Sequence, residues 1–557
     1  MLMDKIYTGD FDPNMLRVSP QAVDQTRVDR IVERYREILK DYPPGELEAK
    51  GALPAGLLQS MREGGFFGLS IATSHGGQGL NLQEYLDVVE VMVKLDISIA
   101  ITFLAHLSIG VKAVQIFGNE DQKQRFLPRA ASGEMIFAYA LTEPSVGSDA
   151  KHIKTTALAG SNGAHYLLNG QKTYITNANY AGGMTVFAQL DPTRPGFMGA
   201  FIVETGWKGV SVGKEMPKMG LSASSTAAVR FEDVRVPEEN LIGRPGDGFK
   251  IAMTVLNYGR LALGAASTAL MNVSTADMLK RASSRIQFRM PIKNFQLIQE
   301  KIARAEVNSA VSSAMTRFAA GILNDDPLHG AAIETSHCKL FGTTRAWDAV
   351  YDALQVAGGA GYLKTLPFEK RMRDFRVATV FEGTTEVHSI YPALLGMRAI
   401  EKWRRKTGRS SAALVFEMAK LITIGEKWPR RDLEDSAMRK VVAEAKKCAG
   451  AARILLIGGA LLYGRQIAGG RTENREFLLR RITTLSLYTF GLLALLSEAR
   501  QNRVLTARDR LIMKSFIEEA KEARKQNGRL FDSRRQRLDC ALFRDLDGQG
   551  GPSRHGK

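Results

Sequence analysis

The run Ala140–Ala150 reads ALTEPSVGSDA and opens a stretch unlike those on either side. From about residue 137 to 245, short alternating or β-branched runs recur. They are Lys172–Thr176, Met184–Gln189, Phe197–Glu204 and Ala227–Val236, with Gly, Asn and Pro between them. Period-two alternation broken by turn formers predicts an antiparallel β unit. The flanks carry apolar residues at three-to-four spacing, as in Val23–Leu39, Glu84–Leu95, Phe295–Val307 and His337–Val356, which predicts helices. Pro43–Pro44 and Gly76–Gly79 punctuate the first flank. The polar stretch Lys402–Ser411 leads into a second helical block, 411–530, and the tail Gly548–Lys557 is expected to be disordered.

The fold class is therefore α+β, mainly α, in four segments: an N-terminal helical domain 1–136, a central antiparallel β domain 137–245, a helical bundle 246–400 and an extra C-terminal helical domain 401–557. No alternating βαβ pattern occurs and no GxGxxG follows a strand, so a Rossmann dinucleotide domain is not supported. At 45% hydrophobic and 24% charged residues, the chain has enough apolar surface for packed cores, so global disorder is excluded. Cys338, Cys448 and Cys540 lie far apart, and the histidines show no HExxH. Neither a disulfide framework nor a metal site is expected. The start, MLMDKIYTGDFDPN, is acidic and lacks an apolar core, unlike a signal or transit peptide. The apolar runs Ala451–Tyr463 and Ile482–Ser497 fall short of the ~20 residues of a spanning helix. The expected location is cytoplasmic.

The charge is uneven. Of a net +18, residues 1–400 contribute +2 and residues 401–557 contribute +16. Such asymmetry points to an anionic partner. Nucleic acid is not expected, because no binding motif is present and the basic runs Arg404–Lys406 and Arg534–Arg537 are short. Arg439, Lys446, Lys447 and Arg453 accompany apolar Val441, Val442, Ile454 and Leu455. This is compatible with an amphipathic helix at an anionic membrane surface, peripheral at its inner face. Packing onto its own or a partner subunit fits the pattern equally well.

In the opening run, Thr142 and Ser148 offer hydroxyls, and Gly147 lets backbone approach a ligand. Such a loop can contact a phosphate or a heterocycle edge, or can be an ordinary turn. Five further signatures follow in order: YITN at Tyr174–Asn177, RIQF at Arg285–Phe288 with Phe295–Gln296, QVAGGAG at Gln355–Gly361, RMRDFR at Arg371–Arg376 and FEGTTE at Phe381–Glu386. Together the six resemble the acyl-CoA dehydrogenase flavoprotein family over roughly residues 20–400. The extension after 400, with AHLSIG at Ala105–Gly110 and NYGR at Asn257–Arg260, is similar to the very-long-chain branch of that family.

The resemblance implies a helical domain, a β domain and a C-terminal four-helix bundle. It implies FAD as cofactor, α,β-dehydrogenation of a fatty acyl-CoA thioester to the trans-2-enoyl-CoA in β-oxidation, electron-transfer flavoprotein as acceptor, and a homodimer at least, with the flavin site shared between subunits. Glu382 falls where the family places its base, and an apolar site that raises its pKa suits that role. A minority of the family places the base at the position matching Gly259; glycine cannot abstract a proton. Arg260 matches an arginine near the base loop and supports it. Flavin contacts carry over to Tyr139, Leu141, Thr142, Ser148, Tyr174, Thr176, Arg285, Gln287, Phe288, Phe295, Gln296, Gln355, Gly358, Gly359, Thr384 and Glu386. Substrate contacts carry over to Ser148, Asn257, Tyr258, Arg260, Phe381 and Gly383, with Ile101 and Ala105 at the pocket bottom.

Three positions depart from the family pattern: Arg289 stands where relatives usually have Gly, His388 where Leu or Gln is more usual, and Ser389 where many have Arg. The apolar lining of Ile101 and Ala105 suits medium-to-long chains, although Phe103 and Leu104 beside it are bulky. Two other readings keep the same fold: an oxidase that uses oxygen, and a membrane-docked scaffold.

Overall fold

The computed structural model describes residues 2–17, 22–160, 163–328, 330–407, 433, 435–468, 475–501 and 504–547. The expected disordered tail Gly548–Lys557 and the end of the polar stretch, 408–411, lie outside them. Lys402–Thr407 continue the helix Thr385–Thr407 instead of starting a linker. Two compact units result: Arg17–His388, and Leu2–Leu16 with the chain from Ser389 onward.

The first unit opens with helices whose ends are written in their side chains. Asn81 and Glu84 cap each other at the start of Leu82–Leu95, and Asn119 and Gln122 do the same for Glu120–Ala131. Each pair satisfies two backbone donors that a helix start leaves open. Between Ile97–Leu104 and Lys112–Phe117 the chain forms a π-helical turn, Ala105–Gly110.

The strands are β1 (Ile136–Ala140), β2 (Thr156–Ala159), β3 (His165–Thr176), β4 (Ala181–Gln189), β5 (Met198–Glu204), β6 (Val210–Val212), β7 (Thr226–Pro237) and β8 (Leu241–Gly246). They form one sheet in the order β6-β7-β3-β2-β4-β5-β8, with β1 also on β4. The expectation of a purely antiparallel unit is corrected here: β1 and β2 both pair with β4 in parallel. A parallel pair needs a long crossover, and residues 141–180, which include β2 and β3, separate β1 from β4. Ala138, Leu168, Val186, Phe201, Val229 and Phe231 are buried in the core of this unit.

The long helix Gly248–Ser284 packs against Gln296–Asp325 and Ala332–Ala357. Small residues let the backbones approach. A Cβ added at Gly264 would stand 2.6 Å from Thr316 Oγ1, and one at Gly342 would stand 3.0 Å from Ser267 Cβ. Thr268 Oγ1 and Ser312 Oγ bridge two of these helices at 2.9 Å.

In the second unit, Ser436–Ala468 packs on Glu476–Gln501, and both pack on Ala507–Asn527. The N-terminal helix Leu2–Thr8 belongs here: Tyr7 OH donates to Ser486 Oγ at 2.5 Å and Arg453 Nε to Ile6 O at 2.5 Å. Val441, Val442, Leu455 and Arg453 are all buried. Ile454, the fourth apolar residue of the expected amphipathic helix, is 51% exposed. Glu476–Gln501 is long and apolar enough to cross a membrane, longer than the run read from sequence, but 89% of its apolar window is buried in the protein.

Candidate active site

The Phe381–Gly383 loop sits between the short turn Arg376–Thr379 and the helix Thr385–Thr407. Phe381 N–H donates to Val377 O at 3.0 Å. Glu382 then adopts φ +54° and Gly383 φ +99°. The carboxyl end of Glu382 is buried and its Oε2 has no hydrogen-bond partner. Burial pushes this carboxyl up to about 7, against the opposing pull of the Arg260 and Lys339 cations. A Cβ added at Gly259 would stand 2.7 Å from the Glu382 carboxyl carbon. Glycine at 259 therefore makes the room that the Glu382 carboxyl occupies.

The cations come from two helices. Arg260 is buried in the long helix and donates through Nη1 to Asn257 Oδ1 at 3.3 Å, and Thr335 Oγ1 donates to the same oxygen at 3.3 Å. Lys339 is buried and donates to Gly383 O at 2.6 Å; burial pushes its ammonium down to about 8. His388 reaches Glu382 O through Nε2 at 3.0 Å and Ser336 Oγ through Nδ1 at 2.7 Å. Burial, with the Arg260 and Lys339 charges, holds this imidazole well below its ordinary value. Lys339 and Ser336 were missed from sequence. The available signal was a run of polar residues, Glu334–His337 and Lys339, all buried in a helix that packs on both its neighbours.

The opening loop is held from below by a buried ion pair. Lys172 Nζ donates to Glu143 Oε1 at 2.7 Å and to Leu141 O at 3.1 Å, while Glu143 also accepts from the backbone N–H groups of Lys154 and Thr155. Thr142 and Thr176 are half-buried and Ser148 is exposed. Tyr174 is 69% exposed at φ +56°. Tyr139 packs on Phe187 and its hydroxyl donates to Ala252 O at 3.2 Å. Burial and the Glu382 charge raise its phenol. Thr384 Oγ1 accepts from Val387 N–H at 3.3 Å, and Glu386 is exposed.

A second group lies elsewhere. Arg285, Gln287, Phe288 and Gln296 are exposed, and Phe288 meets half-buried Phe295 edge-on. Ile286–Gln287 and Met290–Pro291 pair as a small hairpin, and both residues of its turn, Phe288 and Arg289, have positive φ. That geometry favours glycine at the turn, and Arg289 occupies it at φ +64°. Arg281 donates to Ala357 O, so exposed Gln355, Gly358 and Gly359 stand at this same helix end. Arg285 follows Arg260 by 25 positions along the long helix, about 37 Å at 1.5 Å per residue. One chain does not bring the two groups together.

Ile101 and Ala105 are buried. Phe103 turns to Phe66 and Phe67, with ring centroids 6.2 and 5.0 Å away, so its bulk faces the N-terminal aromatic core. Tyr85 OH pairs with Ser108 Oγ of the π-turn at 2.8 Å, and its phenol is raised by burial and, more weakly, by the Glu382 charge. Asn257 is buried; Tyr258, Phe381 and Gly383 are half-buried. Among the described residues no cluster of three metal-ligating side chains occurs.

Comparison with known proteins identifies the family of the chain. Models of the acyl-CoA dehydrogenase N-terminal, middle and C-terminal domains match residues 28–134, 138–234 and 246–391. The very long-chain specific acyl-CoA dehydrogenase of Macaca fascicularis is 38% identical over 419 residues, which span 73% of this chain and 63% of that protein's length. An acyl-CoA dehydrogenase of Bacillus subtilis is 35% identical over 364 residues, covering 64% of this chain and 95% of the relative. The crystal structure of an acyl-CoA dehydrogenase complexed with FAD from Bacillus anthracis superposes with a TM-score of 0.80 at 26% identity. It covers 96% of this chain and 95% of its own, extension included. The three consecutive domain matches and these relatives establish that the chain belongs to the acyl-CoA dehydrogenase family.

Proposed function

We propose that the protein is an FAD-dependent acyl-CoA dehydrogenase that converts medium-to-long-chain fatty acyl-CoA to trans-2-enoyl-CoA. The observation that carries this is the buried, unpartnered carboxylate oxygen of Glu382, beside Gly259 and under the charges of Arg260 and Lys339. A base for a carbon acid needs such an oxygen, because any hydrogen bond to it would have to break first. The residues fit a flavin. Thr142, Ser148 and Thr176 supply hydroxyls, Tyr174 exposes a ring, and a Cβ on Gly147, Gly358 or Gly359 would meet no atom within 4 Å.

Bound FAD supplies the acceptor for the hydride that leaves the substrate β-carbon. Glu382 takes the α-proton, and Arg260 and Lys339 favour its charged form beforehand. Ile101 and Ala105, four apart and on one helix face, line the acyl end, with Phe103 turned away. This supports a longer chain.

The two distant groups of flavin residues support a homodimer. The Arg285–Phe288 hairpin lies about 37 Å along the helix from Arg260, beyond the reach of one extended flavin dinucleotide, so a partner's hairpin completes each site. Electron-transfer flavoprotein is the proposed acceptor, on the family resemblance. The test is spectral: purified yellow protein bleaches anaerobically when fatty acyl-CoA is added, and persistent oxidised absorbance across all chain lengths would refute the assignment. Peroxide released in step with substrate loss would favour oxygen as acceptor.

A peripheral place at the inner face of the cytoplasmic membrane is supported by the helix Arg534–Leu546. It buries no residue and exposes Leu538, Leu542, Phe543 and Leu546 beside Arg534, Arg535, Arg537 and Arg544. Apolar and cationic groups exposed together suit an anionic bilayer surface. Equal cosedimentation with anionic vesicles of the full chain and of one ending at Ser533 would remove this idea.

A further inference from the structure

Glu382 holds a left-handed backbone conformation, which side chains other than glycine adopt only when the surroundings enforce it. Two successive carbonyls of this loop are pinned by buried donors. His388 reaches Glu382 O at 3.0 Å, and Lys339 reaches Gly383 O at 2.6 Å. A carbonyl oxygen only accepts, so His388 carries its proton on Nε2. Its Nδ1 is then free to accept the Ser336 hydroxyl at 2.7 Å. Ser336 and Lys339 are three apart on Ala332–Ala357 and present one face to the loop. A Cβ on Gly383 would stand 2.6 Å from His388 Nε2, so glycine there lets the clamp close.

Resting on the reading of Glu382 as the base, we propose that His388, oriented by Ser336, and Lys339 are positioning residues that clamp the base loop and set where and in which charge state Glu382 waits. In a trans peptide the N–H points opposite the C=O. Pinning these two oxygens therefore turns the N–H groups of Gly383 and Thr384 away from the clamp. Lys339 adds an electrostatic part. The groups that act on Glu382 or feel its charge are Arg260 from the long helix, Lys339 from Ala332–Ala357, Tyr85 from Leu82–Leu95 and Tyr139 from β1, with neutral His388 on the carbonyl side. Lys339 itself also meets Arg260 and Glu386.

The test uses the flavin-loaded protein and His388→Leu, His388→Gln, Lys339→Met and Glu382→Gln, each checked for bound flavin and melting temperature. His388→Leu lowers kcat by about tenfold or more while KM for fatty acyl-CoA moves less than about threefold, as expected when a base is displaced and binding is kept. His388→Gln, whose amide can donate to Glu382 O and accept from Ser336, restores most of the rate. Lys339→Met removes a cation that favours the carboxylate, so the acid limb of the kcat/KM profile moves up by about one pH unit. Independently of turnover, the imidazole 15N shifts of His388, assigned by difference from His388→Gln, read a fixed Nε2–H tautomer. His388→Leu within about twofold of the parent, His388→Gln as slow as His388→Leu, an unmoved acid limb in Lys339→Met, or an Nδ1–H tautomer each overturns the clamp. If Glu382→Gln still turns over, the base assignment itself fails. If it is inert while the clamp variants behave as the parent, the clamp alone fails.

Discussion

Replacing Glu382 by Gln removes a charge that the fold disfavours, so it should abolish turnover and stabilise the protein above neutral pH. The magnitude follows from the raised carboxyl. An ordinary glutamate titrates near 4.5 and this one at about 7. Each pH unit is worth about 1.4 kcal/mol, so the ionised form in the native state costs about 3 kcal/mol. The sign is set by which state holds the proton more tightly. Below about 4.5, folded and unfolded chains are both protonated and the side chain costs nothing. As pH rises from about 4.5 to about 7 the unfolded chain gives up its proton while the folded one still holds it, so stability falls across that window and levels off above it. Glutamine keeps the shape without the charge. Urea unfolding of flavin-loaded parent and variant, followed by far-UV circular dichroism at pH 4.5, 6, 7 and 8.5, reads the difference. The expected gain grows from near zero at the acid end to about 3 kcal/mol at the alkaline end. A variant equal to or weaker than the parent at pH 8.5 would show that the carboxylate is well solvated or fully paired, and the argument for a tuned base would go with it.

Gly259→Ala should leave the fold intact and cripple the site. The added methyl would meet the mobile end of Glu382, so the carboxylate shifts by about an ångström, and a displacement of that size costs about a hundredfold in kcat; steady-state rates beside a melting curve check it. Arg289→Gly should stabilise by about 0.5–1 kcal/mol, since it relieves a left-handed residue in the hairpin turn, less the added freedom of the unfolded chain; thermal unfolding reads it. Lys172→Met strands Glu143 as a buried anion and should cost about 3–5 kcal/mol. The Leu141 carbonyl loses its donor as well, so weakened flavin retention on gel filtration should accompany the lower melting temperature.

The element types were legible because each has a period. Helices in Val23–Leu39 and Phe295–Val307 and strands in Met184–Gln189 and Ala227–Val236 match Gln25–Lys40, Gln296–Asp325, β4 and β7. Strand direction was not, because a period of two is the same in parallel and antiparallel pairs, and β1 reaches β4 only through a crossover. Nor was the fate of Leu2–Leu16, whose short apolar face is buried by helices more than 400 positions away. Around Arg453, Val441, Val442 and Leu455 are buried while Ile454 is exposed, and the sequence pattern does not state what covers a face. At the candidate site, Glu382 was singled out through its motif, and Arg289 marked itself as a departure before its positive φ gave the reason. Lys339 and Ser336 carry no motif of their own. Their contacts with His388 and Gly383 arise only once the Ala332–Ala357 helix is laid against the loop.

The arrangement around Glu382 makes sense as a balance of opposed effects. Burial alone would leave the carboxyl protonated at neutral pH, and a protonated carboxyl removes nothing. Two cations alone, at an open site, would hold it ionised but so acidic that it would be a poor base for a weak carbon acid. Together, desolvation against Arg260 and Lys339 leaves it at about 7, where an appreciable fraction is ionised and basicity is still high. The cations must then stay near without bonding the reactive oxygen. Among the groups described, Arg260 bonds Asn257 and Lys339 bonds a carbonyl, while Glu382 Oε2 has no donor. Direct salt bridges would have neutralised the base more cheaply for the fold and disabled it for the reaction. On the proposed reading of Glu382 as the base, the absence of a bond at its Oε2 leaves that oxygen open to a substrate proton.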